Sequence, residues 1–86
     1  MSQVCIIDLE VDHGDGNIVR LKPDDYMYRG TRGGAYEIYY SRYGVWVGQK
    51  VYNPFEELPG PPFIICSNRR ELYNKIDSIL KGRVKE

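Results

Sequence analysis

Residues 63–80 read FIICSNRRELYNKIDSIL, a short apolar run followed at once by a helix start. Ser67 and Asn68 are both residues that cap helix N-termini, and Glu71 follows Asn68 by three positions, as in a capping box. The apolar stripe that follows consists of Leu72, Ile76 and Ile79, flanked by Tyr73 and Leu80. This spacing predicts a C-terminal helix over 68–81 with one face packed on a sheet.

The run 63–66 has no charged side chain, which is typical of a strand covered on both faces or lying between other strands. We therefore predict a strand here, in the middle of the sheet. The preceding segment, 53–62, holds four of the five prolines and cannot continue a hydrogen-bonded ladder. It is predicted to be a crossing loop that serves as a spacer, with docking of its prolines into an aromatic groove as the alternative.

Alternating apolar and polar residues predict two hairpins earlier in the chain, over 4–22 and 35–52. The first has a strand from Cys5, a turn over 12–17 and a second strand. Between the hairpins we expect a short edge strand from Tyr26 and a glycine-rich loop over 30–34. The whole chain then forms one α+β domain, a four- to five-stranded, mostly antiparallel sheet with the helix on one face. The other face would lack a partner in the chain unless the proline segment covered it.

The 86 residues carry twelve basic and twelve acidic side chains, so net charge gives no indication of nucleic acid, a membrane surface or an acidic substrate. Locally, residues 1–25 have a net charge of −4 and residues 26–52 one of +3. The chain starts without a secretory pattern and has no membrane-length apolar run, so we expect a cytoplasmic protein. Cys5 and Cys66 are predicted to be buried thiols, although neighbouring strands would permit a disulfide between them.

The residue types that support catalysis or metal binding are few. His13 is the one histidine, and its pairing with either cysteine is the only Cys/His combination available. The acidic turn around Asp12 and Asp15 lacks the spacing of a calcium loop and is explained by turn chemistry. We therefore predict no catalytic residue, no metal site and no cofactor.

Aromatic residues are concentrated between positions 26 and 52, which hold seven tyrosines and the single tryptophan. If Ile38 and the valines of the second hairpin face the helix, the opposite face carries an aromatic patch with Lys50 beside it. That patch consists of Tyr39, Trp46 and Tyr52. Such residues form hot spots for protein partners or stacking platforms for single-stranded nucleic acid, or else fill a core that is poor in Leu and Phe.

The leading hypothesis is a non-enzymatic protein-binding module of inhibitor or adaptor type, a role common among accessory proteins of viruses and mobile elements. It would use the aromatic patch and the basic loop from Arg29 to Arg32, and its partner would be another protein or a second copy. The alternative is a nucleic-acid-binding domain using Arg29, Arg32, Arg42 and Lys50. The strands within 28–48 followed by a capped helix resemble a plant family of DNA-binding domains built from three strands and a helix. This resemblance implies no site residue.

Overall fold

The computed structural model describes residues 4–12, 14–52, 54–55 and 57–83. Its elements are β1 (Leu9–Asp12), β2 (Ile18–Leu21), β3 (Tyr26–Arg32), β4 (Tyr36–Ser41), β5 (Trp46–Lys50), β6 (Phe63–Cys66) and the helix α1 (Arg69–Arg83). β1 and β2 form a two-stranded sheet, and the other four strands form an antiparallel sheet in the order β3-β4-β5-β6. The predicted α+β class is confirmed. No helix in these residues is long and apolar enough to cross a membrane.

Helix α1 begins as the sequence predicts, because the Glu71 N–H donates to Asn68 Oδ1 at 2.8 Å. Leu72 and Ile76 are fully buried against the sheet. Gly48 on β5 leaves room for them, since a Cβ at that position would lie only 3.2 Å from Leu72 Cδ1. The helix therefore packs closely over β5 and β6.

The register of β4 against β5 decides which side chains share a face. Ile38 lies opposite Gly48, and Tyr39 lies opposite Val47. Directly opposed residues point to the same side of a sheet, so Ile38 faces α1 while Val47 and Tyr39 face away from it. The expectation that Val45 and Val47 share a face with Ile38 is wrong, because a one-residue change of register reverses every side chain of a strand. Val51, just after the end of β5, does pack against the cluster that contains Ile38.

The second face of the sheet is covered by the N-terminal part of the chain. The cluster there has a buried core of Cys5, Leu21, Tyr26, Tyr39 and Val47. The expectation that this face lacks a partner in the chain is therefore wrong, and the proline segment is not what covers it. That segment lies beside α1 instead, where Leu58 is buried and the Tyr36 hydroxyl donates to the Pro61 carbonyl oxygen at 2.7 Å.

The Gln49 side chain holds the N-terminal segment in place. Its Oε1 accepts from the Ile6 N–H at 2.8 Å, and its Nε2 donates to the Val4 carbonyl oxygen at 3.0 Å. These two bonds pair one side-chain amide with the backbone of an extended segment, as a neighbouring strand would. β1 itself starts at Leu9, later than the predicted start at Cys5, because this segment bonds to a side chain and not to a strand.

Two further expectations about strands are corrected. β3 extends into the predicted glycine loop as far as Arg32, with a register shift between Tyr28 and Thr31, and the turn is confined to residues 33–35. Gly30 within this irregularity has a φ of 112°, a backbone conformation that glycine adopts without strain. β6 has its predicted bounds but lies at the edge of the sheet, not in its middle. The apolar run arises because other parts of the chain pack on both faces of β6. It does not tell whether β6 has one neighbouring strand or two.

The two cysteines are free and buried, as predicted, but they lie in clusters on opposite faces of the sheet. A disulfide between them is therefore excluded by their positions. Burial raises the pKa of both thiols, which keeps them in the less reactive protonated form.

Replacing Gln49 by Met should loosen the cover over the second face. The substitution keeps the length of the side chain and removes both hydrogen bonds to the N-terminal segment, a loss of roughly 1–3 kcal/mol. We expect Cys5 to react with a thiol reagent about 5- to 100-fold faster, while Cys66 serves as the internal control. Site-resolved mass spectrometry measures both rates. Equal acceleration at both thiols would indicate global destabilisation and contradict the role given to Gln49.

Candidate functional site

The structure does not bring the predicted aromatic patch together. Tyr39 is only 1% exposed, on the face covered by the N-terminal segment. Trp46 lies on the helix side of the sheet, with its ring centroid 4.7 Å from that of Tyr40. Tyr52 is 85% exposed and follows the end of β5. The three residues therefore lie in three different environments. The expectation that they share one exposed face of the sheet is wrong.

Tyr39 belongs to the core in its contacts and its chemistry. Its hydroxyl donates to Glu37 Oε1 at 2.8 Å, and its ring lies 5.6 Å from that of Tyr28. Burial, followed by the bond to Glu37, raises the pKa of the Tyr39 hydroxyl. Tyr36 is likewise fully buried. The interpretation that large aromatic side chains fill the core is thus correct for these two tyrosines.

Three of the four predicted basic binding residues are held by other parts of the chain. The Arg32 guanidinium makes two hydrogen bonds to the Asp77 carboxylate, at 2.9 and 2.8 Å, and lies 4.2 Å from the centre of the Tyr73 ring. Arg42 lies 3.6 Å from an oxygen of Asp25. The Lys50 ammonium donates to the Leu58 carbonyl oxygen at 3.0 Å. Arg29 is exposed on β3.

The residues considered for catalysis and metal binding form no constellation in the described part of the chain. His13 lies outside the described residues. Asp12 accepts the Gly14 N–H at 2.9 Å, a bond within the turn itself. Among the described residues, no group of three or more His, Cys, Asp or Glu side chains is placed to hold a metal ion.

The outer edge of β6 is the most distinctive surface of the sheet. The Lys50 N–H donates to the Pro62 carbonyl oxygen at 2.9 Å, which marks these two residues as a hydrogen-bonded pair of the β5–β6 ladder. Such pairs alternate along antiparallel strands, so Ile64 and Cys66 also bond toward β5. The N–H and C=O groups of Phe63 and Ile65 therefore point outward, to a side with no strand among the described residues.

A groove of about 760 Å³ runs along this edge, between β6 and α1. Its floor includes Ile64 and Ile79, and the helix lines it with a stripe of polar side chains at helical spacing. The stripe consists of Glu71, Asn74, Lys75 and Ser78. We call this surface the β6–α1 groove. Its volume lies in the range of pockets that bind small molecules or side chains of a partner.

The two edges of the sheet differ in how they are protected. β3, at the other edge, has an irregularity around Gly30 and the charged residues Arg29 and Arg32, features that discourage pairing with another strand. β6 has four uncharged residues in a regular register, and Ile65 is 44% exposed. The edge of β6 thus has the properties of one that accepts a further strand.

A second exposed surface adjoins the groove. Tyr52 and Phe55, which is 93% exposed, line a hollow of about 590 Å³ together with Leu58 and Pro62. Pro61 lines the β6–α1 groove, so the two concave surfaces meet at consecutive prolines. Of the predicted aromatic patch, this area retains Tyr52, and Lys50 also lines it.

The β6–α1 groove was not predicted as a site, although two signals for it are present in the sequence. The apolar run 63–66 is one, and the polar stripe from Glu71 to Ser78 beside the buried stripe of α1 is the other. Comparison of the chain with models of protein families, with curated proteins and with solved structures finds no match. The resemblance to plant DNA-binding domains therefore gains no support.

The ion pair that ties β3 to α1 should make stability depend on pH. Hydrogen bonding to Arg32 lowers the pKa of the Asp77 carboxyl below its ordinary 3.8. A lowered pKa in the folded state stabilises the fold above the ordinary value, and this contribution is lost as pH falls through the folded one. We expect Asp77→Asn to lower the thermal midpoint by a few degrees at neutral pH and to match wild type in strong acid.

Circular dichroism melts across this pH range measure the effect. Asp24→Asn is the control, because it makes the same chemical change at a carboxylate that takes part in no ion pair among the described residues. A difference between Asp77→Asn and wild type that persists unchanged in strong acid would contradict the assignment.

Proposed function

We propose that this domain is a non-enzymatic protein-binding module that accepts an added β-strand from a protein at the outer edge of β6. One observation supports this most directly. A regular, uncharged edge strand directs the N–H and C=O groups of Phe63 and Ile65 outward, beside a groove whose second wall is a helix. Strand addition of this kind uses main-chain hydrogen bonds for affinity and alternate side chains for selectivity.

The groove indicates what kind of strand fits. Side chains of the added strand alternate between the two faces of the sheet, so every second one enters the β6–α1 groove. An apolar side chain there meets Ile64 and Ile79, while polar atoms meet the stripe on α1, including Glu71 and Lys75. On the opposite face, the neighbours are Phe63 and the exposed side of Ile65. The expected partner is an extended segment with alternating apolar residues and mixed charge.

An inhibitor or adaptor role suits a small domain that engages its partner through one sheet edge. The exposed Tyr52 and Phe55 next to Pro61 and Pro62 would extend the contact beyond the strand itself, because aromatic residues contribute strongly to protein interfaces. A reducing compartment such as the cytoplasm is part of the proposal, and the two free, buried thiols support it.

The nucleic-acid alternative is not favoured by the geometry. Stacking platforms need aromatic rings exposed beside free cations, and Tyr39 is buried while Arg32 is held by Asp77. Of the four basic residues considered, Arg29 and Arg42 are exposed, and Arg42 lies beside Asp25. Two such cations, one of them beside a carboxylate, offer little attraction for phosphate.

Ile65→Pro tests strand addition directly. Ile65 donates its N–H outward, so proline removes that donor and leaves the ladder to β5 intact, the situation in which edge strands tolerate proline. A library of random peptides displayed on phage is selected on the immobilised domain. We expect extended peptides with alternating apolar residues, and at least about a tenfold loss of their affinity for Ile65→Pro, the scale of one lost hydrogen bond beside an unsatisfied group.

Ile65→Val is the matched control, since it keeps the N–H and a β-branched side chain and should bind the peptides nearly as wild type does. Circular dichroism checks that each variant is folded. Two outcomes would count against strand addition: selected peptides that bind Ile65→Pro as tightly as wild type, or a library that yields none on a domain shown to be monomeric.

A further inference from the structure

We propose that the strand accepted at this edge is β6 of a second copy, so that two domains form one continuous eight-stranded antiparallel sheet. This inference rests on the proposed function, because it names the partner of the same edge. It follows from the fact that the edge of β6 is complementary to itself in hydrogen bonding, in apolar contact and in charge.

The hydrogen-bonding groups match across a two-fold axis at Ile64. In that register Phe63 of one copy lies opposite Ile65 of the other, and the symmetry repeats this pair once. Each pair makes two hydrogen bonds, so every outward N–H and C=O group of the two residues is bonded. Pro61, the next residue whose backbone faces outward, has no N–H, so the ladder ends there. An axis at Ile65 would pair only that residue within the bounds of β6.

Apolar side chains pair in the same arrangement. Ile65, which is 44% exposed in the single domain, would lie directly opposite Phe63 of the second copy, and this contact occurs twice. Ile64 meets its own equivalent on the helix side.

The helices also fit. The two-fold axis is perpendicular to the sheet, so both copies of α1 lie on the same face and run antiparallel. Because α1 packs over β5 and β6, it lies about half a strand spacing inside the edge, and the two helix axes come about 10 Å apart. That distance is within the usual range for packed helices. The two β6–α1 grooves are filled by the facing helices.

Charges on the facing stripes are complementary. Gly48, the cross-strand partner of Ile64, lies beneath Leu72 and Ile76, so the axis passes near the middle of the stripe, at Asn74. Glu71 and Lys75 then lie on either side of the axis. Antiparallel helices bring Glu71 of one copy toward Lys75 of the other, and Lys75 also lies 3.9 Å from Glu71 of its own helix. The two Lys75 side chains near the axis therefore each have a carboxylate from both copies beside them, which offsets their mutual repulsion.

Light scattering and sedimentation at rising concentration test the inference on the full chain. Wild type should approach twice 10.0 kDa, and Ile65→Val should do the same. Ile65→Pro should remain at 10.0 kDa while folded. Lys75→Glu and Glu71→Lys each set like charges against each other and should each weaken self-association at least about tenfold. The two variants should associate with one another when mixed, because opposite charges then face each other between copies, while the ion pair within each helix stays broken.

Each outcome separates this inference from the proposed function. A wild type that stays monomeric at high concentration while binding selected peptides through Ile65 overturns self-pairing and leaves strand addition standing. A dimer that Ile65→Pro does not affect overturns self-pairing as well, since its interface lies elsewhere. If Ile65→Pro is unfolded, the charge variants on α1 decide, and failure of Lys75→Glu to associate with Glu71→Lys overturns self-pairing with facing helices.

Discussion

The pairing of Ile38 with Gly48 is the constraint on which the rest of the structure depends. It places the residue without a side chain beneath α1, so that Leu72 and Ile76 can approach the sheet. The next pair, Tyr39 with Val47, then points to the other face and becomes the centre of the cluster that the N-terminal segment covers. A shift of one residue would put Tyr39 under the helix and leave both covers without their contacts.

Local signals in the sequence were sufficient for several elements. The cap at Asn68 and the spacing of Leu72 and Ile76 predicted the helix, because capping and periodicity are properties of a few neighbouring residues. Pairing across strands is not local. Alternation shows that a strand has two faces, but which face of β5 meets which face of β4 depends on the turn at 41–45, where the Ser41 N–H bonds to the Val45 carbonyl oxygen.

The candidate site was missed for a related reason. The run from Phe63 to Cys66 shows that both faces of β6 are apolar, and the structure covers them with α1 on one side and part of the N-terminal cluster on the other. Nothing in such a pattern says whether a strand has one neighbour or two. The predicted binding residues, by contrast, rest on residue type alone. The types that are frequent in hot spots also fill cores, as Tyr39 does, and form ion pairs between elements, as Arg32 does.

The difference between the two edges follows from the same contacts that stabilise the domain. Arg32 binds Asp77 and stacks on Tyr73, which fixes the end of β3 to α1 and places a charged side chain at that edge. At the other edge, the Tyr36 hydroxyl bonds to the Pro61 carbonyl oxygen, so the chain enters β6 in a fixed position. The groove between β6 and α1 is thus shaped by the core before any partner arrives. A preformed edge loses little conformational freedom on binding, and a short strand of four residues can then be enough to recognise another.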